Sequence, residues 1–321
     1  MQAQNKKQFN YKGLSAYEGN QLQPLINGLM HYPSLTLLYG KSGSMKSLLT
    51  LYISACIATG KSVFNQHVTT QQNVFYLDGE LSEASINTRA SLLEIANIPA
   101  QQLTYFQTAN DEDFTLSCPE TRSDLTKFLL TANFKVLVID NVRTCFNLVD
   151  ENNADSWREI NSFMKKLRTL GISVILIHHS GKTGDYAGSS NATTVVDYVI
   201  GINTNDAIAR TLLVTKDRED YGLQRKLNNQ SLLFDDMGAT FHCGDVFAET
   251  PQQKILHIEF RLDTNSYKNK KELVDDLIEL GLLSTNRNAQ TYKHIAALFK
   301  TYGINDVYAS EMTLKSHILG N

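Results

Sequence analysis

The fold of this chain is decided by one stretch of sequence, Leu37-Leu38-Tyr39-Gly40-Lys41-Ser42-Gly43-Ser44-Met45-Lys46-Ser47-Leu48-Leu49. An apolar strand leads into a glycine-bearing turn, and a Lys-Ser pair then opens a helix. In such a turn, backbone N–H groups and the positive end of the helix dipole surround a phosphate, the lysine reaches the β and γ oxygens, and the serine hydroxyl binds Mg²⁺. The stretch therefore predicts a nucleotide-binding cradle that runs from Gly40 to Leu48.

One residue of the cradle departs from the usual pattern G-x-x-x-x-G-K-[ST]. Met45 stands where the second glycine belongs. Glycine at this position permits close approach of the main chain to a phosphate. We therefore expect Met45 either to adopt an unstrained backbone conformation or to lean its side chain outward, with Gly43 supplying the flexibility of the turn.

Composition bounds the class of protein. A chain of 321 residues with a net charge of −3 and an isoelectric point near 6.2 has no uniformly basic nucleic-acid coat, although a local basic channel is compatible with these totals. No signal-peptide core and no membrane-spanning apolar run are present, which predicts a cytoplasmic protein with no membrane partner. The cysteines are far apart and indicate neither a zinc knuckle nor a disulfide framework: Cys56, Cys118, Cys145 and Cys243.

The sequence predicts a polar N-terminal segment (residues 1–20), an α/β domain (21–263), and a linker with a small helical module (264–321). Within the α/β domain, short apolar runs alternate with helical stretches, which is the βαβ pattern of a mostly parallel sheet. The predicted buried strands are Leu35–Tyr39, Val74–Asp78, Leu103–Gln107, Lys135–Asp140 and Ser173–His178.

Two helices are predicted to cover this sheet. The first, Lys46–Thr59, is apolar almost all round and stops at Gly60. The second runs from about Asp155 to Leu170, and its apolar stripe comprises Ile160, Phe163, Met164, Leu167 and Leu170.

From Tyr198 the pattern changes to shorter strands with turns, which favours an antiparallel extension of the sheet. The predicted strands are Tyr198–Asn203, Arg210–Lys216, Gln230–Phe234, Ala239–His242 and Ile255–Arg261. Residues 264–272 form a polar basic linker, followed by short helices at Leu273–Leu280, Ala289–Tyr302 and Ser310–Leu319. This helical module suits packing, oligomerisation or DNA readout.

Two carboxylates follow the predicted strand Val74–Asp78. Glu80 is predicted to lie beside the γ-phosphate, where a carboxylate can orient and partly deprotonate the attacking water. Asp78 is the competitor for this role. The alternative is that both residues cap the helix that begins near Ser82.

Asp140 ends another predicted strand, at the sheet edge where open α/β folds bind ligands. Asp140 is predicted to hold Mg²⁺ through the water shell of the ion, and Ser47 is predicted to contact the same ion with its hydroxyl. The alternative is an aspartate that caps a turn or a helix.

Two histidines, His178 and His179, stand where a third buried strand emerges. A histidine there can hydrogen-bond the γ-phosphate and report its loss by moving the loop that follows, Gly181–Asn191. Lys182 in this loop is the leading candidate for DNA contact, and a solvated loop charge is the alternative.

Two cations end the strand at Arg210–Lys216. Alternate residues of an extended segment project to the same side, so Lys216 and Arg218 can reach one target together. That target is predicted to be a γ-phosphate bound to a neighbouring subunit. The alternative is a solvated turn in which Lys216 pairs with Glu219 and Arg218 with Asp220.

The order of these motifs resembles the RecA-like ATPases of the plasmid replicative helicase RepA group and, more distantly, DnaB-type helicases. The resemblance covers about residues 22–245. Its particular points are Pro24-Leu25-Ile26-Asn27-Gly28-Leu29, Asp78-Gly79-Glu80, His178-His179-Ser180-Gly181-Lys182, and Gly188-Ser189-Ser190 before Val195-Val196-Asp197.

This resemblance implies a RecA-like P-loop core that assembles into a ring, usually a hexamer, with ATP between subunits and single-stranded DNA in the centre. It also implies Mg²⁺ as cofactor. The departure at Met45 bears on the rate of hydrolysis more than on binding. The implied roles are catalytic base for Glu80, phosphate and Mg²⁺ contacts for Lys46 and Ser47, second acidic residue for Asp140, sensor for His178 or His179, and action in trans for Arg218 and Lys216.

Three other functions compete with a helicase. A nucleotide-gated DNA-binding or regulatory adaptor would bind ATP with incidental turnover, and a recombination-type ATPase would hydrolyse it with little unwinding. The cradle also approximates the K-G-G-x-x-K-[ST] pattern of partitioning ATPases, with Lys41 as the early lysine, although that family normally starts at its cradle. Partner proteins from replication or mobile elements are compatible with all of these.

Overall fold

The computed structural model of the protein describes Gly13 and residues 21–108, 111, 113–148, 154–180, 190–204, 210–235 and 239–244. The chain divides into two compact units, Met1–Gly244 and Asp245–Asn321. The second unit lies outside the described residues, as do nearly all of segment 1–20 and residues 181–189 of the candidate DNA loop. The strand Ile255–Arg261, the basic linker, the C-terminal helices and the domain boundary after residue 263 therefore stay predictions.

Strands and helices alternate through the described part of the first unit. In chain order they are β1 (Gln23–Ile26), β2 (Met30–Tyr32), β3 (Leu35–Gly40), α1 (Lys46–Thr59), β4 (Val74–Asp78), α2 (Glu83–Leu92), β5 (Leu103–Gln107), α3 (Pro119–Thr131), β6 (Val136–Asp140), α4 (Val142–Cys145), α5 (Ala154–Thr169), β7 (Ser173–His179), β8 (Tyr198–Thr204), β9 (Arg210–Asp217), α6 (Leu223–Leu227), β10 (Ser231–Asp235) and β11 (Thr240–Gly244). None of the helices in these ranges is long and apolar enough to cross a membrane.

One large sheet contains nine of the described strands, in the order β11-β10-β9-β8-β3-β7-β6-β4-β5. The six strands from β8 to β5 in this order run parallel to one another. β9, β10 and β11 continue the sheet antiparallel. This arrangement confirms the predicted α/β class, with a mostly parallel sheet and an antiparallel extension. Each of the five predicted parallel strands is present within one residue of its expected bounds.

The direction of β8 differs from the expectation. The segment Tyr198–Asn203 was expected to open the antiparallel extension, but β8 pairs parallel with β3, so the extension begins at β9. The connection from β7 to β8, residues 180–197, exceeds the dozen or so residues that a parallel crossover needs. The buried run at the start of β8 is also typical of a parallel strand covered on both faces.

Alternation along the parallel strands divides the core into two layers. Leu38, Tyr76 and Ile177 face the layer that contains α1. Leu37 and Leu176 face the opposite layer, which contains α5. The faces of the sheet thus follow from the two-residue period of a strand.

The two predicted covering helices are present. α1 has the expected bounds and ends at Gly60, whose φ of 73° is left-handed. α5 begins and ends one residue earlier than expected. Four residues of its predicted stripe are buried, but Leu170 lies beyond the end of the helix and is 39% exposed.

A buried carboxylate, Asp197, organises the amino-terminal edge of the parallel strands. It accepts a hydrogen bond from the Leu35 N–H at 2.9 Å. Arg168 Nη1 donates to both of its oxygens, at 2.9 and 3.1 Å, and Arg218 Nε lies 3.5 Å away. Asp197 therefore joins the start of β3 to α5 and to the end of β9, at the edge opposite the cradle.

Candidate nucleotide site

The carboxyl ends of four parallel strands meet at one edge of the sheet. Gly40 at the end of β3 is level with His179 on β7, and Asp78 on β4 is level with Asp140 on β6. The order β3-β7-β6-β4 therefore places the cradle, a histidine and two aspartates side by side. This is the edge at which open α/β sheets bind ligands.

The cradle is prepared for an anion. The N-terminus of α1 has neither a side-chain cap nor an acidic residue in its first turn. Lys46 is buried, and its ammonium donates to the carbonyl oxygens of Gly40 at 2.9 Å and Lys41 at 2.8 Å. The buried Ser44 hydroxyl has no hydrogen-bond partner among the described residues. Uncapped helix N–H groups, a buried cation and an unpartnered hydroxyl suit phosphate oxygens.

Burial lowers the pKa of the Lys46 ammonium, while the nearby carboxylates of Asp140 and Glu80 act in the opposite direction. Those carboxylates favour the charged form of the lysine, which is the form that binds phosphate.

Gly40 at the start of the cradle is required by packing, because a Cβ there would lie 2.8 Å from the carbonyl oxygen of Ile202.

Met45 adopts neither of the two forms expected for it. Its φ of 67° and ψ of 17° are left-handed, and its half-buried side chain packs against the α1 layer of the core. A left-handed L-residue costs about 1–2 kcal/mol. The chain enters α1 through this left-handed conformation. Met45 therefore adopts the backbone geometry that a glycine would adopt at this position.

Ser47 and Asp140 form an adjacent pair of oxygen ligands. Asp140 is 2% exposed and accepts a hydrogen bond from the Tyr76 hydroxyl at 2.7 Å. Burial raises the pKa of Asp140 to about 6, against the opposing hydrogen bonds from Tyr76 and Ser47. A hydroxyl beside a carboxylate suits the hard-oxygen preference of Mg²⁺. Asp140 does not cap the next helix, because Asn141 is the N-cap of α4.

The two carboxylates after β4 have different surroundings. Asp78 is buried, and its oxygens accept hydrogen bonds from the backbone N–H groups of Glu80 and Leu81 and from the Tyr105 hydroxyl. Asp78 thus shapes the turn that carries Glu80. Neither residue caps α2, whose N-cap is Ser82.

Glu80 faces the other side chains of this edge. Its side chain is 42% exposed, and its Oε1 accepts a hydrogen bond from Asn141 Nδ2 at 2.6 Å and lies 3.4 Å from His179 Nε2. These contacts, led by His179, lower the pKa of Glu80, and Lys46 adds to the effect. The carboxylate is therefore ionised at neutral pH, as a general base must be.

The two histidines lie on opposite faces of the sheet. His179 contacts Glu80 and Asn141, whereas the buried His178 ring packs edge-on against Trp157 of α5, with ring centroids 5.4 Å apart. Of the pair predicted as a sensor, only His179 faces the nucleotide edge.

Lys216 and Arg218 lie at the opposite edge of the sheet. Lys216 Nζ donates to the carbonyl of Thr193 at 2.6 Å, and Arg218 Nη2 donates to those of Thr194 and Val196 at 3.0 and 3.2 Å. Both side chains thus reach the same segment, as their spacing predicted. The expected alternative pairs are not formed: Asp220 is bonded to Arg225.

The separation between Arg218 and the cradle follows from the register. Asp217 pairs with Tyr198 at the start of β8, and the start of β8 is level with Thr36 near the start of β3. The cradle begins where β3 ends, at Gly40, about 13 Å further along at 3.3 Å per residue. The two cations therefore do not reach the cradle of their own subunit.

A family model described as AAA domain matches residues 6–185, more than half of the chain. The chain belongs to the AAA domain family. A solved structure with a similar fold is the KaiC-like protein PH0186 from Pyrococcus horikoshii OT3, with a TM-score of 0.52 and 13% identity over 70% of this chain and 99% of that one. No curated protein sequence matches the chain. Family and fold together give a RecA-like P-loop ATPase.

Three residues of this AAA domain site were not predicted from sequence. Tyr76 and Tyr105 stack at 5.0 Å between centroids and bind Asp140 and Asp78 respectively, which joins the two carboxylates through a tyrosine pair. Nothing in the sequence marks them. Asn141 carries a signal, because Asn-x-x-Thr directly after a strand is typical of a capping box.

Because Met45 has a left-handed backbone, we expect its glycine variant to be more stable than its alanine variant, the reverse of the usual order in a helix. Met45→Gly and Met45→Ala both lose the packing of the side chain, but only glycine relieves the left-handed backbone. We expect Met45→Gly to exceed Met45→Ala in free energy of unfolding by about 1 kcal/mol in urea denaturation. At an ordinary helix position alanine is the more stable residue, so equal stabilities would contradict a left-handed Met45.

The raised pKa of Asp140 predicts that its amide variant stabilises the nucleotide-free protein. From the ordinary value of 3.8 up to about 6, the native state keeps a proton that the unfolded chain loses, so stability falls as pH rises across this window. A pKa difference of this size between the native and unfolded states corresponds to about 3 kcal/mol of unfolding free energy. Asp140→Asn should therefore raise the free energy of unfolding by up to this amount near pH 7.5 without Mg²⁺, and by less near pH 5.

The same variant should lose the stabilisation that Mg·ATP gives to the wild type, because the carboxylate ligand is gone. Asp124→Asn, at an exposed surface pair, is the matched control and should change neither quantity. Thermal melting at several pH values with and without Mg·ATP measures both effects. A variant less stable than the wild type at neutral pH would contradict a buried, costly carboxylate.

Proposed function

We propose that this AAA-family chain is an ATP-hydrolysing motor that assembles into a ring and acts on single-stranded DNA, as a replicative-type helicase. The observation that carries the hydrolytic part is the ionised Glu80 carboxylate on the same sheet edge as Lys46, Ser47 and Asp140. A base beside a phosphate cradle is the arrangement that phosphoryl transfer to water needs.

Each residue of the edge has a defined task in this proposal. Lys46 and the N-terminal amides of α1 bind the phosphates, and Ser47 with Asp140 would hold Mg²⁺. Glu80 orients the attacking water and accepts its proton, and His179 beside it is the sensor. When bound, Mg²⁺ supplies charge neutralisation on the phosphate oxygens.

Assembly is supported by the position of Lys216 and Arg218. They lie at the sheet edge opposite the cradle of their own chain, so they can act on ATP only when a neighbouring subunit presents its cradle to them. A head-to-tail interface of this kind closes into a ring when its rotation allows. A hexamer is our proposal from the resemblance to the RepA group.

The DNA part of the proposal rests on the resemblance alone. The order of the motifs along residues 22–245 resembles that of RepA-type helicases. The candidate DNA loop Gly181–Asn191, with Lys182, lies almost entirely outside the described residues. Cytoplasmic location and partners from replication or mobile elements are proposed on the same basis.

A second candidate function is a nucleotide-gated adaptor, and the left-handed Met45 favours it. Strain in the cradle is compatible with tight binding and slow turnover. A recombination-type ATPase would share the hydrolytic site and differ in unwinding. Strand displacement distinguishes this ATPase from a helicase.

Single-turnover hydrolysis with and without single-stranded DNA tests the proposed motor. For the wild type we expect hydrolysis that DNA stimulates at least about tenfold, because ring ATPases couple turnover to their track. Glu80→Gln should bind ATP with unchanged affinity and lose about 10²–10⁴-fold in rate, since the base is gone. Lys46→Ala, which removes the cation of the cradle, should lose ATP binding itself.

Three outcomes would redirect the proposal. Tight ATP binding with negligible turnover in the presence of DNA favours the adaptor. Full activity in Glu80→Gln would transfer the role of base to Asp78. Absence of any ATP binding, measured by calorimetry and thermal melting, would overturn the motor altogether.

Complementation in mixed rings tests whether Arg218 acts in trans. Arg218→Ala and Glu80→Gln should each be inactive alone, while an equimolar mixture should recover up to about a quarter of the wild-type rate, the share of interfaces with both residues intact. Arg225→Ala, at an exposed pair with Asp220, is the control and should keep full activity. Mixed rings that form in native mass spectra yet stay inactive would contradict action in trans.

A further inference from the structure

Asn141 touches the proposed base directly and has no task among those given above to the residues of this edge. It is buried immediately after Asp140, and its Nδ2 lies 2.6 Å from Glu80 Oε1 and 3.0 Å from His179 Nε2. Its neighbours therefore come from the ends of β4 and β7, on either side of its own strand β6.

The orientation of the Asn141 amide is fixed by the helix it caps. Its Oδ1 accepts hydrogen bonds from the Thr144 backbone N–H at 3.2 Å and from the Thr144 hydroxyl at 3.4 Å. Because the cap consumes the oxygen, the NH₂ group must face the opposite way, toward Glu80. The assignment of O and N in this amide thus follows from the capping box.

The backbone holds the two groups at this separation. The Gly79 N–H donates to the carbonyl of Asp140 at 2.7 Å. A Cβ at Gly79 would lie 2.7 Å from Thr144 Cβ, so the turn before Glu80 packs directly on α4. The distance from Asn141 to Glu80 is therefore set by main-chain contact rather than by two flexible side chains.

We propose that Asn141 is a positioning residue for ATP hydrolysis: it holds Oε1 of Glu80 and leaves the second carboxylate oxygen to the attacking water. The inference rests on the proposed role of Glu80 as base. A helix cap alone does not explain asparagine here, because serine or aspartate caps equally well. The asparagine amide has an oxygen that accepts in the cap and a separate NH₂ group that reaches a carboxylate on the other side.

Charged and polar groups from several elements face Glu80. They are the Lys46 ammonium from α1, the Asp140 carboxylate from β6 and the His179 ring from β7. A second carboxylate at position 141 would add like charge to this set.

Two substitutions that keep the cap separate positioning from folding. Asn141→Ser caps α4 but is too short to reach Glu80, and Asn141→Asp caps α4 while presenting an acceptor to it. We expect kcat to fall about tenfold in the first and about 100-fold in the second, with the dissociation constant of ATP within about twofold of the wild type. The melting temperature of Asn141→Ser should stay within about 2 °C of the wild type.

A pH profile gives a readout that loss of structure does not produce. In Asn141→Asp, repulsion between carboxylates should move the acid limb of kcat upward by about one pH unit, whereas Asn141→Ser should show a smaller shift. In the Glu80→Gln background, Asn141→Ser should leave the residual rate unchanged, because the oxygen it positions is no longer a base.

The result that overturns the inference is wild-type kcat in Asn141→Ser, or a fall in kcat that is matched by an equal loss of ATP affinity. Its failure is distinguishable from failure of the proposed function. If the wild type hydrolyses ATP and Glu80→Gln does not, the function stands and only the role of Asn141 falls. If Glu80→Gln keeps full activity, the base itself is misassigned.

Discussion

The parallel register of β3, β7, β6 and β4 is the constraint on which the site depends. Because these strands point the same way and end at the same level, their last residues form one row at the sheet edge. A shift of a single residue in any one strand would turn its terminal side chain to the opposite face. His178 illustrates this, since it lies one position from His179 and packs against Trp157 in the core.

The residues at the two edges of the parallel sheet have different roles. At the carboxyl edge lie the cradle, which suits the binding of phosphate, and the acidic residues after β4 and β6, which suit the binding of Mg²⁺ and of the attacking water. At the amino edge, Asp197 ties β3, α5 and β9 together and holds Arg218 against backbone carbonyls. The separation of these edges in one subunit is the observation behind the proposal that a second subunit completes the nucleotide pocket.

The carboxyl edge holds several groups that a protein without a ligand would avoid. Met45 is left-handed, the Lys46 ammonium is buried on two carbonyl oxygens, and Asp140 is an acid with its pKa raised by burial. Such costs concentrate at functional sites because binding, rather than folding, requires them. The surrounding core, with two well-filled layers on either face of the sheet, supplies the stability that offsets them.

The sequence by itself determined the parallel strands, the bounds of α1 and the residues of the cradle, because local hydrophobic period and turn chemistry carry that information. It also placed Glu80, Asp140 and the two histidines at strand ends. Only the tertiary structure decided which histidine faces the site, that Asp78 shapes a turn, that β8 runs parallel to β3, and that Asn141 lies between Glu80 and His179. These features depend on pairing between strands far apart in the chain, and no local pattern encodes such pairing.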